Sequence, residues 1–298
     1  MLGEAKRAMN VAEIEAKSIL TPTGGFLAGF SHTLNPYVGC SLGGSLCGMA
    51  CYAAEMPFSS REAAPWGQSL KVKLNAASLY RRDHARVRRK GERLSIFMSS
   101  VTDPYVPQER RYRITRGILT EMVEFPPDTL VLQTHAPNVL WDIETLCRLH
   151  ERCRLTVQIS IETDRETLPG FPRHAYSVSA RLAALRELTE VGLKTVGVVS
   201  PLLPLAEPES FATRLGEAAS SVILDHYLIG DGSPDGVRTR RRKAVRDLTV
   251  PELIAAADGN DWNTLEKFDQ IVKTFRTVLG NERVGVSADG FRAMADCT

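Results

Sequence analysis

Apolar positions along the chain alternate between two spacings. Short apolar runs of strand length occupy residues 94–99, 129–133, 155–161, 194–199 and 221–229. Segments with apolar residues at helical spacing lie between them, at residues 114–124, 143–152, 179–191 and 209–219. Regular alternation of strand and helix predicts a parallel sheet with right-handed crossovers. Residues 30–34 add a strand at the front, which brings the predicted number to six.

Further elements are predicted at both ends of this core. Residues 3–19 are rich in Ala, Glu and Lys and predict a short helix, whereas residues 66–75 alternate as an extended strand does. A basic helix is predicted over residues 76–90. Near the carboxyl end, Thr249 with Pro251 and Glu252 marks a helix start. A second helix is predicted over residues 261–279 and a short strand over residues 283–287.

The composition places the chain among soluble globular proteins. It has 298 residues, 43% of them apolar, and a formal net charge of +2. No apolar run reaches the length of a membrane span, and the first residues lack the order of a signal peptide. We therefore expect a cytoplasmic protein without membrane contact. The near-neutral charge disfavours nucleic acid as a partner. Basic runs at residues 81–90 and 238–243 leave phosphate contact open, but a solvated helix face for the first and an exposed linker or loop for the second are favoured.

Half of the six cysteines lie in one glycine-rich loop, at Cys40, Cys47 and Cys51. Clustered thiolates suit iron or zinc rather than calcium or magnesium. A structural zinc site normally needs four ligands, whereas three thiolates on a four-iron cluster leave one iron open to an outside molecule. That open iron is what enzymes that cleave S-adenosylmethionine require. A zinc site with His32 as fourth ligand, a metal-free cluster of thiols and a disulfide are the alternatives. The other cysteines, Cys147, Cys153 and Cys297, are interpreted as packing residues.

The loop resembles a known family. Asn35-Pro36-Tyr37-Val38-Gly39-Cys40 and the later Cys51-Tyr52-Ala53 are similar to the cluster loop of the radical SAM superfamily, in the branch related to spore photoproduct lyase. That branch usually reads C-x3-C-x2-C, whereas this chain reads C-x6-C-x3-C. Glycines at positions 43 and 44 allow φ > 0, so the insertion is expected to bulge outward without moving the ligands.

The resemblance covers residues 30–235 and implies a fold. It predicts an α/β protein with an open (β/α)6 partial TIM barrel as the radical SAM core. Residues 1–29 then form a short N-terminal extension, and residues 236–298 form a mostly helical C-terminal cap. Ligands of such sheets bind at the carboxyl ends of the strands.

Polar residues follow the predicted strands at that edge. The second strand ends in short hydroxyls and a carboxylate suited to the ammonium and ribose of S-adenosylmethionine, although a turn started by Asp103-Pro104 is the alternative. The resemblance favours the cofactor. It also places His135, after the third strand, where relatives often carry a lysine near the cofactor carboxylate, although a histidine that only caps the loop is the alternative. Ser160 and Glu162 share one face of the fourth strand. The predicted cofactor-binding residues are Tyr52, Ser99, Ser100, Thr102, Asp103, His135, Ser160, Glu162 and Ser200.

Two residues after the sixth strand are left open. Asp225 and His226 are candidate substrate contacts or a buried pair with a structural role. Ser200-Pro201-Leu202, after the fifth strand, resembles the segment that lies along the adenine.

The main functional prediction is a radical SAM enzyme. The resemblance implies a [4Fe-4S] cluster on the three loop cysteines, cleavage of S-adenosylmethionine, and hydrogen abstraction from an unknown organic substrate. An external electron donor such as flavodoxin or ferredoxin would be its partner. One alternative is repair of a DNA photoproduct, as in the lyase, against which stand Ser99 and Ser100 at a strand end where the lyase has a cysteine. The other is a non-enzymatic zinc or iron–sulfur binding module.

Overall fold

A computed structural model describes residues 9–49, 51–56, 59, 64–231, 233–245 and 247–296. Its strands, in chain order, are β1 (Asn10–Ile14), β2 (Leu20–Pro22), β3 (His32–Leu34), β4 (Tyr37–Gly39), β5 (Ser69–Lys73), β6 (Ser95–Met98), β7 (Thr129–Thr134), β8 (Arg154–Ser160), β9 (Thr195–Val199), β10 (Ser221–Leu224), β11 (Lys243–Val245), β12 (Leu248–Thr249) and β13 (Val284–Val286). Its α-helices are α1 (Leu46–Met49), α2 (Ala76–Arg89), α3 (Glu109–Tyr112), α4 (Ile114–Glu124), α5 (Ile143–His150), α6 (Val178–Glu190), α7 (Pro208–Ala218), α8 (Tyr227–Gly230), α9 (Val237–Arg241), α10 (Val250–Asp258), α11 (Leu265–Leu279) and α12 (Ser287–Asp296).

An eight-stranded sheet forms the centre of the fold, in the order β13-β10-β9-β8-β7-β6-β3-β2. Neighbours from β3 to β13 pair in parallel, and β2 pairs antiparallel with β3. The six predicted strands are the six neighbours β3 and β6 to β10, so the predicted parallel sheet is confirmed. Within the described residues the edge strands β2 and β13 do not pair with each other, so the sheet is open.

Both faces of the sheet are covered, as its nearly continuous apolar strands require. The helices between the strands build the main hydrophobic core on one face. On the other face lies a second cluster that includes Phe30, Phe97, Val131 and Ile223, with Phe291 of the carboxyl-terminal helix α12 packed on them. The rings of Phe97 and Phe291 are 6.3 Å apart, centroid to centroid. The C-terminal residues are therefore built into the central sheet, through β13 and α12.

The amino-terminal segment differs from the prediction. Residues 10–14 form strand β1 rather than part of a helix, and β1 pairs in parallel with β5, which pairs antiparallel with β4. Residues 3–8 of the predicted helix lie outside the described residues. Pairing with β5 overrides the helical preference of Ala, Glu and Lys, because intrinsic propensity is weaker than tertiary context. Strands β1, β5 and β4 form a small three-stranded sheet, and its strand β4 ends at Gly39, directly before Cys40.

The predicted carboxyl-terminal helices are confirmed in outline. The Thr249 side chain accepts a hydrogen bond from the Glu252 N–H and the Glu252 side chain accepts from the Thr249 N–H, which is a capping box at the start of α10. Helix α11 covers most of the second predicted helix. Among the described helices, none is both long and apolar enough to cross a membrane.

Candidate active site

The cysteine loop follows directly from the small sheet. Gly39 has φ +79°, and a Cβ there would lie 2.5 Å from the Ser69 carbonyl oxygen, so only glycine fits this turn. Cys40 is buried after it, Cys47 lies on α1, and Cys51 precedes a 3-10 turn at Tyr52–Glu55. The loop that begins at this Gly39 turn contains the three cysteines within twelve residues of chain.

The glycines of the insertion act differently from the prediction. Neither Gly43 nor Gly44 adopts positive φ. Instead Gly43 packs backbone to backbone: a Cβ on Gly48 would lie 2.1 Å from the Gly43 carbonyl oxygen, and one on Gly67 would lie 2.7 Å from the Gly43 carbonyl carbon. The insertion is folded inward by contact between three glycines rather than bulged outward.

The three thiols form one electrostatic group. Burial raises the pKa values of Cys40 and Cys51, and the neighbouring Cys47 raises both further. The Asp103 N–H donates to the Cys40 sulfur, and the Ala53 N–H donates to the Cys51 sulfur. Backbone hydrogen bonds to ligand sulfurs are one of the ways in which proteins tune iron–sulfur clusters. Buried thiols that already receive N–H bonds fit a cluster held by three cysteines.

The zinc alternative requires several side chains that converge on one ion. In the described part of the chain, no three or more His, Cys, Asp or Glu side chains are grouped so that they could hold one metal ion. A four-iron cluster has no such requirement, because each thiolate binds a different iron. His32, the proposed fourth zinc ligand, lies on the amino-terminal part of β3. Its charged neighbours are Glu92, Arg86, Asp83 and Lys90.

Asn35 joins the loop to the end of β6. Its Oδ1 accepts from the N–H groups of Val101 (3.0 Å) and Thr102 (3.3 Å), while its carbonyl oxygen accepts from Lys73 Nζ at 2.6 Å. Its amide nitrogen lies 3.4 Å from Ser100 Oγ. Sequence reasoning included Asn35 in the motif without assigning it this role.

Asp103 organises the end of β7. Its carboxylate accepts from Tyr105 N–H (2.8 Å), Thr134 Oγ1 (2.8 Å) and His135 N–H (2.7 Å). The predicted turn at Asp103-Pro104 is therefore present, and the same carboxylate also holds Thr134 and His135 at the end of β7. The His135 ring lies beside this carboxylate, with Nδ1 3.4 Å from Asp103 Oδ2.

His135 connects the loop to Glu162. Its Nε2 lies 2.9 Å from Glu162 Oε1, although this oxygen lacks the alignment of a hydrogen bond among the described residues. The imidazole also hydrogen-bonds the Cys47 sulfur. Burial by itself would lower the pKa of His135, but Cys47, Asp103 and Glu162 together raise it well above its usual value. The ring is thus held as a cation between the thiols and two carboxylates.

Arg181 holds the other side of Glu162. Its Nη1 lies 2.8 Å from Glu162 Oε2 and donates to the Ser160 carbonyl oxygen at 2.7 Å, and His174 Nδ1 lies 2.9 Å from Nη2. Burial alone would raise the pKa of Glu162, but Arg181 and His135 hold it far below its usual range. Sequence reasoning missed Arg181. The signal was present, because this arginine lies on the apolar stripe of α6 with Val178, Leu182 and Leu185.

The remaining predicted cofactor residues are partly used by the protein itself. Ser100 Oγ accepts from Asn35, Thr102 Oγ1 donates to the Tyr37 carbonyl oxygen (3.3 Å), and the Tyr52 hydroxyl donates to the Ser100 carbonyl oxygen. These three residues hold the loop against β6. Their predicted contact with the cofactor stays a prediction.

Other polar atoms at the strand ends are buried without a partner in the described residues. They are Ser99 Oγ, both amide atoms of Gln158 and Asp225 Oδ1. Buried polar atoms of this kind are normally paired. Ser160 Oγ accepts from Gln133 Nε2 (2.9 Å), and Ser200 Oγ donates to Asp225 Oδ2 (3.0 Å).

The side chains of Asp225 and His226 do not pair with each other, although the His226 N–H donates to the Asp225 carboxylate. The His226 ring donates from Nε2 to the Trp262 carbonyl oxygen (3.0 Å) and accepts the Leu228 N–H at Nδ1 (3.2 Å). Burial lowers its pKa to about 4, so it is a neutral structural residue. Asp225 instead keeps an unpaired oxygen among the described residues, and burial raises its pKa to about 6.

The cysteines outside the loop are packing residues where they are described. Cys147 and Cys153 pack on the main core, and burial raises the pKa of Cys153 to about 12. Cys297 lies outside the described residues.

Sequence comparison finds two relatives. No protein-family model matches the chain. Over 197 residues it is 28% identical to an uncharacterized protein of Methanocaldococcus jannaschii, which covers 66% of this chain and 69% of the relative. Over 111 residues it is 35% identical to an uncharacterized protein of Acidianus two-tailed virus, which covers 37% of this chain and 35% of the relative.

Solved structures are similar over nearly the whole chain. A variant of spore photoproduct lyase matches with a TM-score of 0.62 at 13% identity, covering 93% of this chain and 81% of the lyase. Another variant, solved with bound AdoMet and a dinucleoside spore photoproduct, gives a TM-score of 0.59 at 14% identity over the same shares. The resemblance seen in the cysteine loop is thus confirmed for the fold, and this chain has the spore photoproduct lyase-like fold of the radical SAM enzymes.

Proposed function

We propose that this chain is a radical SAM enzyme acting on an organic substrate. The observation that carries the proposal is the grouping of three loop thiols, one buried and two partly buried, beside Asp103, His135 and Glu162, which follow neighbouring parallel strands at their carboxyl ends. Cys40, Cys47 and Cys51 would hold a [4Fe-4S] cluster. When bound, a reduced cluster supplies the electron that splits S-adenosylmethionine into methionine and a hydrogen-abstracting 5′-deoxyadenosyl radical.

The chain's own residues would bind and orient the cofactor. Glu162 Oε1, which receives no hydrogen bond from a described residue, would accept from the methionyl ammonium, and the His135 ring would donate to the methionyl carboxylate. The unpaired Ser99 hydroxyl, with Ser160 and Ser200, would contact the ribose and adenine part. A reduced flavodoxin or ferredoxin would supply electrons, and the thiolates favour a reducing compartment such as the cytoplasm.

The substrate is proposed only as an organic molecule. Spore photoproduct lyase has been solved with a dinucleoside spore photoproduct, but at 13–14% identity this likeness supports the fold alone. Four of the six Arg and Lys residues in the first basic run lie within salt-bridge distance of a carboxylate, as Arg81 does of Glu121 and Arg88 of Asp128. We therefore keep DNA repair as the alternative. The domain division at residues 30–235 and 236–298 remains part of the proposal.

Anaerobic reconstitution with iron and sulfide tests the proposal. The loaded protein, given a reductant and S-adenosylmethionine, should release 5′-deoxyadenosine, detected by chromatography. The Cys47→Ser variant should lose iron and product, whereas Cys147→Ser, which lies off the loop, should keep both. Normal iron and product in Cys47→Ser would overturn the assignment of the ligands.

Cofactor binding has a separate test. His135→Ala should keep its iron but bind S-adenosylmethionine more weakly, because a hydrogen bond to a charged group contributes about 1.5–3 kcal/mol. Anaerobic calorimetry measures the affinity. An unchanged affinity would remove His135 from the binding site.

A further inference from the structure

The second basic run contains one arginine that differs from its neighbours. Arg238, Arg240 and Arg241 are exposed, as an exposed loop predicts. Arg242, the residue after α9, has only 13% of its side chain exposed. We infer that Arg242 is a positioning residue that ties the C-terminal extension to the cysteine loop and sets the charge beside Cys51.

The contacts of Arg242 reach across 191 residues of chain. Its Nη1 donates to the carbonyl oxygen of Cys51, the third loop cysteine. Its Nε lies 3.8 Å from Glu55 Oε1, at the end of the 3-10 turn that follows Cys51. Burial lowers the pKa of Arg242, and the charges of Cys51 and Glu55 act against that shift. The guanidinium nevertheless stays charged, since arginine is not deprotonated in proteins.

The backbone that aims Arg242 is itself fixed. Asp231, after β10, is buried and accepts from the Ser233 N–H (2.8 Å) and the Thr239 N–H of α9 (3.0 Å). At Gly236, φ is +62° and a Cβ would lie 2.2 Å from the Tyr227 carbonyl oxygen. On the other side, Lys243–Val245 pairs with Leu248–Thr249. The arginine is therefore anchored on both sides rather than carried by a free linker.

Two consequences follow, one electronic and one structural, and only the electronic one rests on the proposed function. A fixed cation beside a ligand stabilises the more negative, reduced state, so Arg242 raises the reduction potential. The carbonyl bond and the ion pair also hold the segment from Cys51 to Glu55 closed. Outer residues that orient a ligand commonly affect metal retention as well as electronics.

Three variants separate these effects. Arg242→Gln removes both the positive charge and the guanidinium group that contacts Cys51 and Glu55. Arg242→Lys keeps the charge but loses the guanidinium group, and Arg241→Gln changes an exposed neighbour in the same run. In the reconstituted protein, a redox titration followed by electron paramagnetic resonance gives the midpoint potential. We expect Arg242→Gln to lower the one-electron equilibrium constant roughly tenfold, which is about 59 mV. Arg242→Lys should keep a midpoint potential close to that of the wild type, because the positive charge remains. Arg241→Gln should have the wild-type potential.

Hydrogen exchange of residues 51–56 gives a second readout that needs no cluster. Exchange should be faster in Arg242→Gln and Arg242→Lys than in Arg241→Gln, both with and without iron. The wild type could bind no cluster and still show slower hydrogen exchange in residues 51–56 than Arg242→Gln. In that case the proposed function fails, but the structural role of Arg242 is supported. If the cluster forms but Arg242→Gln and Arg241→Gln share one potential and one exchange rate, the inference about Arg242 is wrong.

Discussion

At the scale of single residues, Glu162 shows how an ionised carboxylate is kept in a buried place. Glu162 and Arg181 are 1% and 2% exposed, and their charged atoms are 2.8 Å apart. The free carboxylate oxygen is left facing His135. Removing one partner of such a pair leaves an uncompensated buried charge, which costs far more than the pair contributes. The pair therefore positions Glu162 for its proposed role, but replacing either residue is expected to destabilise the protein.

This pair gives a stability prediction with a control on the same helix. Arg181→Met should lower the free energy of unfolding by about 3–5 kcal/mol. Arg186→Met removes an arginine whose pair with Glu217 is exposed, at 51% and 62%, and should change it by less than about 1 kcal/mol. Urea denaturation of the two variants measures the difference. If both variants lose the same free energy of unfolding, breaking the buried Arg181–Glu162 pair is no more destabilising than breaking an exposed pair.

Asp225 gives a pH-dependent prediction. Burial raises its pKa to about 6 from the ordinary value of 3.8, so the folded protein holds a proton there that the unfolded chain has released. Its contribution to stability is complete below about pH 4 and is lost as the pH rises through 6, a change of about 3 kcal/mol. Asp225→Asn keeps the buried polar group but removes the titration.

The measurement compares the wild type with Asp225→Asn by urea denaturation between pH 4 and 7. The wild type should lose stability relative to the variant across this interval, because other carboxylates titrate equally in both. A constant difference would mean that Asp225 is not shifted.

At the scale of elements, the cysteine loop depends on close contact between glycines. A Cβ on Gly48 would lie 2.1 Å from the Gly43 carbonyl oxygen, whereas a Cβ on Gly44 has open space around it. The first contact is with backbone, which cannot move aside as a flexible side chain does. Positions that look alike in the sequence thus have different structural requirements.

We predict that Gly48→Ala prevents the loop from closing and that Gly44→Ala does not. After anaerobic reconstitution, Gly48→Ala should hold less than half of the wild-type iron, and Gly44→Ala should hold the normal amount. Iron analysis and a thermal melt of each variant provide the measurement. Full iron in Gly48→Ala would show that the loop tolerates the displacement.

At the scale of the whole molecule, charge is distributed so that no strong basic field is expected. The formal net charge is +2, and in the longer basic run Arg81 pairs with Glu121 and Arg88 pairs with Asp128. Phosphate-driven binding needs unpaired cations arranged along a surface. The exposed arginines of the second run are a smaller group.

Duplex DNA should accordingly bind weakly. We expect binding of the cluster-loaded protein to labelled duplex to disappear before physiological salt is reached. A salt titration by fluorescence anisotropy measures the affinity and its dependence on log salt. Micromolar or tighter binding at physiological salt, with a slope that corresponds to several phosphate contacts, would instead support the DNA repair alternative.

The sequence by itself determined the elements of the core and the chemical character of its site. Strand and helix positions follow from periodicity, which is a local property, and the six core strands overlap the predicted apolar runs. The run at residues 221–229 was predicted too long, because β10 ends at Leu224 and Tyr227–Gly230 forms α8. The cysteine motif is also local. The neighbourhood of Asp103, His135 and Glu162 was predictable because parallel strands present their carboxyl ends at one edge.

Only the tertiary structure decided which polar groups meet. Arg181 on Glu162, Arg242 on Cys51 and the separation of His226 from Asp225 all depend on contacts between distant segments. The same holds for β1, where pairing with β5 overrode a helical composition, and for Gly43, whose neighbour Gly67 lies beyond the loop. Hydrogen bonds and close backbone contacts depend on geometry to within a few tenths of an ångström, and residue type and spacing do not encode that geometry.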